Sequence, residues 1–163
     1  MDLRKASRDP WVWGQMILAV VVLIAAPILP RYVSLGDADF ALNRVDPDWI
    51  RWLGGILIAA GGGFAFWGIR SLGTSLTPGV EPLPGAALVI TGAYAHSRHP
   101  IYLGVVLFLA GYTLAWSNWT LALLLGFIAL QYFEAKARAE ERWLLERYPS
   151  YAAYTVHVTR RVM

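Results

Sequence analysis

The chain has 163 residues, 57% of them hydrophobic and only 15% charged. Soluble domains carry about a quarter charged residues, so this composition argues against a water-soluble globule, and the 8 Trp and 8 Tyr suit bilayer interfaces. The absence of Cys excludes disulfide frameworks, thiolate metal sites and thiol nucleophiles. The net charge of +3 reads as membrane orientation rather than nucleic-acid binding, because the basic residues flank apolar runs.

Residues 10–30, 52–69 and 99–133 contain no Asp, Glu, Lys or Arg. About 20 helical residues cross the hydrocarbon core, so the first two runs each predict one span. Arg4, Lys5 and Arg8 ahead of the first run also fit a cleaved signal peptide. Its uninterrupted length and its Pro27-Ile28-Leu29-Pro30 ending, without a small-x-small site, favour a retained anchor. In span two, Gly55, Ala59 and Gly63 recur at four-residue spacing and predict a close helix–helix contact. The third run would be a rod of about 52 Å as one helix. Ser117-Asn118, bracketed by Trp116 and Trp119, divides it into a hairpin of two short spans.

The expected fold is an all-α integral membrane protein with about four transmembrane helices, forming a single structural domain. Residues 1–70 carry the first two spans and residues 71–163 the rest. Basic residues at both ends, against the Asp-rich loop 31–48, put both termini and the 70–98 loop in the cytoplasm. The expected compartment is a bacterial inner membrane, with the lipid bilayer as partner and no nucleic acid.

The 71–98 connection holds one acid, Glu81, and its Ala86-Ala87-Leu88-Val89-Ile90 stretch is too apolar for disorder. Connections beyond about 12–15 residues without regular structure are usually functional or disordered, so this one is expected to fold onto the membrane face of the protein. It leads into Arg98-His99-Pro100-Ile101-Tyr102. Pro100 suits a first helical turn, which would leave free N–H groups and a positive dipole end able to hold a carboxylate or phosphate. The bland alternative makes Arg98 an orientation signal and His99 a cap. Two His, His96 and His99, fall short of a metal site. Beyond Phe133 the last span continues as a charged helix for about four turns, supported by Glu134/Arg138 and Lys136/Glu140 four apart. Trp143, Leu144 and Tyr148 give it a face to dock with. Hairpin geometry brings the start of span three and the end of span four to one membrane face, so Arg98-His99-Pro100 and Glu140 can lie near each other although about 40 residues apart.

Three strings then stand out: Leu72-Gly73-x-Ser75-x-Thr77-Pro78, Leu88-Val89-x-x-Gly92-x-Tyr94 and Arg98-His99-Pro100-x-Tyr102-x-Gly104. With Glu140-Glu141-x-x-Leu144-x-x-x-Tyr148, Tyr151 and Tyr154, this ordered set resembles the isoprenylcysteine carboxyl methyltransferases and their bacterial relatives over residues 70–155. The resemblance implies a methyltransferase core at 71–163, S-adenosylmethionine as cofactor and a hydrophobic or lipid-linked acceptor entering from the bilayer. It assigns Leu88, Val89, Tyr94, His99, Pro100, Ile101, Tyr102 and Glu140 to the cofactor site, with no metal. Lys136 stands one turn before Glu140, where the prenyl-protein enzymes carry an acceptor-binding Arg. It is the expected catalytic residue, with Arg138 the second candidate. Recognition by a planar guanidinium fork is therefore not implied, since Lys and Arg differ there. The Tyr148-Pro149-Ser150-Tyr151 string is also one residue shorter than the family pattern. A solvent-exposed Lys136–Glu140 ion pair worth about 0.3–0.5 kcal/mol competes with the catalytic reading. Two other functions compete with the methyltransferase. An NADPH-dependent membrane lipid or sterol reductase shares Arg-His-Pro, but its phosphates would find only Arg98 as a permanent cation in the loop. The other is a non-catalytic membrane scaffold.

Overall fold

The computed structural model describes residues 9–28, 48–116 and 119–162. The Ser117-Asn118 turn, the basic residues Arg4, Lys5 and Arg8, and most of the Asp-rich loop lie outside the described residues. Five α-helices account for most of the rest, and no strand occurs among the described residues. Helix α1 (Pro10–Ile28) begins where the Asp9 carboxylate accepts the Trp11 N–H at 2.8 Å, with Pro10 in the position that needs no N–H. Helix α2 (Asp48–Leu72) opens on an acid and closes near Arg70, both suited to the helix dipole.

Helices α3 (Pro100–Trp116) and α4 (Trp119–Arg147) lie on either side of residues 117–118, and α5 (Tyr151–His157) follows α4 after Pro149. By length and composition α1, α2 and α4 can each cross a membrane. Helix α3, with 17 residues and about 25 Å of rise, is the short member of the expected hairpin. Helix α4 runs unbroken for 29 residues, so its charged C-terminal half is the predicted extension beyond the apolar run.

Helix α3 packs on α1, α2 and α4. Val22 of α1, Val106 and Leu109 of α3, and Ala129 and Phe133 of α4 form one buried cluster. The outer faces keep Ile17, Val20, Ile56, Phe66, Leu124 and Phe127 exposed, as expected of helices apolar all round and solvated by lipid.

The α2–α3 contact corrects one expectation. Gly55 and Gly63 have open space where a Cβ would stand, so the stripe with four-residue spacing is not the packing face. The contact runs instead through Gly54, Gly61 and Gly68, spaced seven apart, which meet Gly111, Gly104 and the Pro100-Ile101 start of α3. A Cβ on Gly61 would sit 2.6 Å from the Gly104 carbonyl oxygen, and one on Gly104 2.6 Å from that of Gly61. Seven-residue spacing keeps successive contacts on one seam between two helices crossing at a shallow angle. Four-residue spacing suits a steeper crossing.

Candidate active site

The start of α3 and the exit of α4 meet as hairpin geometry requires. Tyr102 donates its hydroxyl hydrogen bond to Glu140 at 2.7 Å. The buried His99 ring stacks on Tyr102, with Nδ1 3.5 Å from Glu140 and Nε2 3.4 Å from Glu141. Glu141 Oε1 also lies 3.3 Å from Arg98 Nε. These contacts have ion-pair distances without hydrogen-bond alignment, so Arg98 Nε, His99 Nε2 and Glu141 Oε1 are buried and lack hydrogen-bond partners.

The free N–H groups expected at the start of α3 are fewer than the sequence suggests. His99 N–H is taken by the Arg161 carbonyl at 3.0 Å, and Pro100 has none to give. Ile101 and Tyr102 are the remaining donors of that turn. Pro100 and Ile101 pack against Gly68 of α2.

Two cavities adjoin at this junction. The larger, about 350 Å³, is lined by Gln15, Met16 and Ala19 of α1, Ile69 and Leu72 of α2, Ile101, Tyr102 and Val105 of α3, and Phe133, Lys136 and Glu140 of α4. That volume lies at the lower end for small-molecule sites. The smaller, about 60 Å³, lies under the loop among Pro82, Ala86, Leu88, Val89, Leu144, Tyr148 and Tyr151. Leu72, Thr77, Tyr94, His99 and Glu140 line both.

Tyrosines hold the loop over the smaller cavity. Tyr148 donates to the Ala86 carbonyl and Tyr154 to the Tyr94 carbonyl, each at 2.6 Å. Ser71 Oγ accepts Ala93 N–H at 3.2 Å, and Gly92 makes that approach possible: at φ 64° a side chain would be strained, and a Cβ would stand 2.5 Å from Ser71 Oγ. Burial pushes the Tyr154 phenol up to about 12, with Arg98 opposing and Glu141 adding to the rise, so the group remains a hydrogen-bond donor. Burial, and after it Glu140, raises Tyr94 above its ordinary value too.

Lys136 is 1% exposed. Its ammonium donates to Gln15 Oε1 and, at 2.8 Å, to the Pro78 carbonyl, and it lies 5.1 Å from the Tyr102 ring centre. Among the described residues no carboxylate stands within ion-pair distance of it, so the solvent-exposed Lys136–Glu140 pair is not formed. Burial leaves the ammonium with neutral oxygen partners beside the larger cavity.

Of the residues singled out in the sequence, Tyr94, His99 and Glu140 line both cavities. Ile101, Tyr102 and Lys136 line the larger, Leu88 and Val89 the smaller. Pro100 lines neither and shapes the turn. Arg138 also lines neither; its side chain is 65% exposed and lies 4.0 Å from Glu134. His96 packs on the Trp67 indole. Leu144 and Tyr148 dock as expected, whereas Trp143 stays exposed.

Two site residues carry no signal in the sequence: Gln15, far from the others along the chain, and Arg161; Tyr151, one of the motif residues, lines the smaller cavity. The Tyr151 hydroxyl is buried without a hydrogen-bond partner.

No curated protein matches the chain. The sequence model of the phospholipid methyltransferase family matches residues 49–151. That span takes in nearly all of α2, the loop, α3, α4 and the first residue of α5, and it leaves out α1, Tyr154 and the C-terminal tail. The chain therefore belongs to the phospholipid methyltransferase family, which includes the isoprenylcysteine carboxyl methyltransferases, and is an integral membrane methyltransferase.

Proposed function

We propose that this protein transfers a methyl group from S-adenosylmethionine to a lipid-like acceptor, as in the isoprenylcysteine carboxyl methyltransferases. The observation that carries the proposal is the pair of adjoining cavities sharing Tyr94, His99 and Glu140. A two-substrate transfer needs such a junction. Arg98, His99 and Tyr151 line the smaller cavity, and the Tyr151 hydroxyl is buried there without a hydrogen-bond partner. A buried polar atom without a partner is costly, and a polar ligand would relieve it.

S-adenosylmethionine, when bound, supplies a methyl group on a sulfonium, which leaves as a neutral thioether when the acceptor's lone pair forms the new bond to carbon. The protein's own residues bind, orient and exclude water. Glu140 accepts from the amino group or ribose hydroxyls of the donor. Ile101 and Tyr102 N–H, at the positive end of α3, face its carboxylate. Leu88, Val89 and Tyr94 form the apolar slot for adenine, while His99 and Pro100 set the turn that aims these groups.

Lys136 faces an anionic acceptor head, with Gln15 as its resting partner. Arg138, exposed and beside Glu134, has no part in this site. The apolar walls Met16, Ile69, Val105 and Phe133 take the acceptor's hydrocarbon and hold its head close to the donor, where orientation does most of the work. Both termini and the loop lie on the cytoplasmic side, in a bacterial inner membrane.

Calorimetric titration of the detergent-solubilised protein tests the reading. S-adenosylmethionine should bind and NADPH should not. Binding of NADPH instead, or of neither, overturns it in favour of a reductase or a scaffold. Lys136→Met should spare donor binding and reduce turnover of an anionic acceptor.

A further inference from the structure

The tail after α5 lies outside the family-matched residues, yet it touches the core of the site. The Arg160 carbonyl accepts Arg98 N–H, and the Arg161 carbonyl accepts His99 N–H, both at 3.0 Å. Ser97 Oγ donates to the same Arg161 carbonyl at 3.1 Å, and an Arg98 guanidinium nitrogen reaches the Thr159 carbonyl at 3.5 Å. The Arg161 side chain turns the other way. Its Nε donates to Glu141 at 2.8 Å and a terminal nitrogen lies 3.4 Å from Glu134, both on α4. Val162 beyond it is fully buried.

One residue thus grips the turn before α3 with its backbone and the exit of α4 with its side chain. We infer that residues 159–162 are a latch that sets the spacing between His99 and the Glu140-Glu141 pair, with Arg161 as its positioning residue.

The chemistry supports this assignment. Glu141 is shared by Arg98, His99 and Arg161, and the Arg161 bond is the shortest and the only aligned one of the three. Charge-assisted hydrogen bonds of this kind are the strong ones. Burial works against the Arg161 charge, but its bond to Glu141, and Glu134 after it, raise its pKa overall, so the clasp stays charged. Without Arg161, Glu141 would be left to Arg98 and His99, and the His99 ring could shift along with Glu141 away from Glu140. The latch would then matter to whatever occupies the junction, which here rests on the reading of His99 and Glu140 as donor-site residues.

The test uses the full chain in detergent, Arg161→Ala, Arg161→Lys and a chain ending at Val158. Arg161→Ala removes only the α4 grip and should weaken S-adenosylmethionine binding about tenfold, as expected for loss of a charge-assisted bond. Its thermal unfolding midpoint should fall modestly with the fold intact, since Glu141 keeps Arg98 and His99 beside it, and Arg161→Lys should restore part of the affinity through one bond to Glu141. The shortened chain loses both grips and should lose donor binding, with faster hydrogen exchange at the Arg98 and His99 amides.

Donor affinity equal to the parent's in Arg161→Ala overturns the positioning role, as does an equal loss of affinity in Arg161→Lys. Unchanged exchange at the two amides in the shortened chain overturns the latch itself. If that chain does not fold, Arg161→Ala decides alone. If the parent binds no S-adenosylmethionine, the donor reading falls by itself, and amide exchange at Arg98 and His99 in the shortened chain still decides the latch.

Discussion

The α2–α3 seam and the cap over the site are built from opposite materials. In the seam, Gly54, Gly61 and Gly68 bring two backbones into direct contact with Gly104 and Gly111. In lipid there is little hydrophobic drive between helices, so packing must supply the attraction, and small residues maximise it. The cap gathers residues far apart in sequence through hydrogen bonds onto backbone carbonyls: Tyr148 to Ala86, Tyr154 to Tyr94, Lys136 to Pro78. Such bonds direct irregular chain where dispersion alone would not choose a conformation. The seam should therefore be intolerant of volume and indifferent to polarity. The cap should tolerate volume at its exposed positions and respond to single lost atoms at its buried ones.

The largest effect is expected at the seam. Gly61→Leu must displace the α3 backbone and should destabilise by at least about 3 kcal/mol, seen as loss of a folded monodisperse peak in detergent. Gly63→Ala, two residues on but facing open space, should change the unfolding midpoint little and fold normally, because Ala is the better helix former by about 1 kcal/mol. If both variants behave alike, the assigned register is wrong.

Next comes Glu140→Gln, which keeps shape and an acceptor for Tyr102 but removes the charge. Donor affinity should fall by about tenfold or more, in line with about 1.5–3 kcal/mol for a hydrogen bond to a charged group, with the fold intact by circular dichroism. Tyr148→Phe removes only the bond to Ala86 and leaves a half-buried carbonyl without this partner. A loss of about 1 kcal/mol should appear as faster proteolysis within residues 82–90. The smallest effect belongs to Arg138→Ala, whose exposed contact with Glu134 is expected to contribute under about 0.5 kcal/mol. A large loss of turnover in that variant would place the acceptor on the other face of α4.

Much of the frame was legible because its causes are local. Hydrophobic length announced α1, α2 and the third run. Ser117-Asn118 with flanking Trp predicted two helices; those two residues lie outside the described residues, and α3 and α4 on either side of them pack on each other. Pro100 announced the start of α3, and the lack of Gly or Pro through Arg147 announced the long exit of α4. Hairpin geometry allowed His99 and Glu140 to approach, and the motif set placed them in one site; His99 Nδ1 stands 3.5 Å from Glu140. The register of the seam was not legible in the same way. Span two offers glycines at both spacings, and the choice depends on where Gly104 and Gly111 fall on the partner helix.

The sequence by itself determined the membrane class, the helix hairpin, the family-matched residues around the junction and the charged continuation of α4. Each of these is written in composition, periodicity or a short motif. Only the tertiary structure decided that Lys136 is buried against Gln15, 121 residues earlier, that Arg138 turns outward, and that Arg161 joins the turn before α3 to the exit of α4. Those outcomes depend on which face of each helix meets a partner from elsewhere in the chain. A side chain's polarity says that it needs a partner, but not which one the packing will bring within reach.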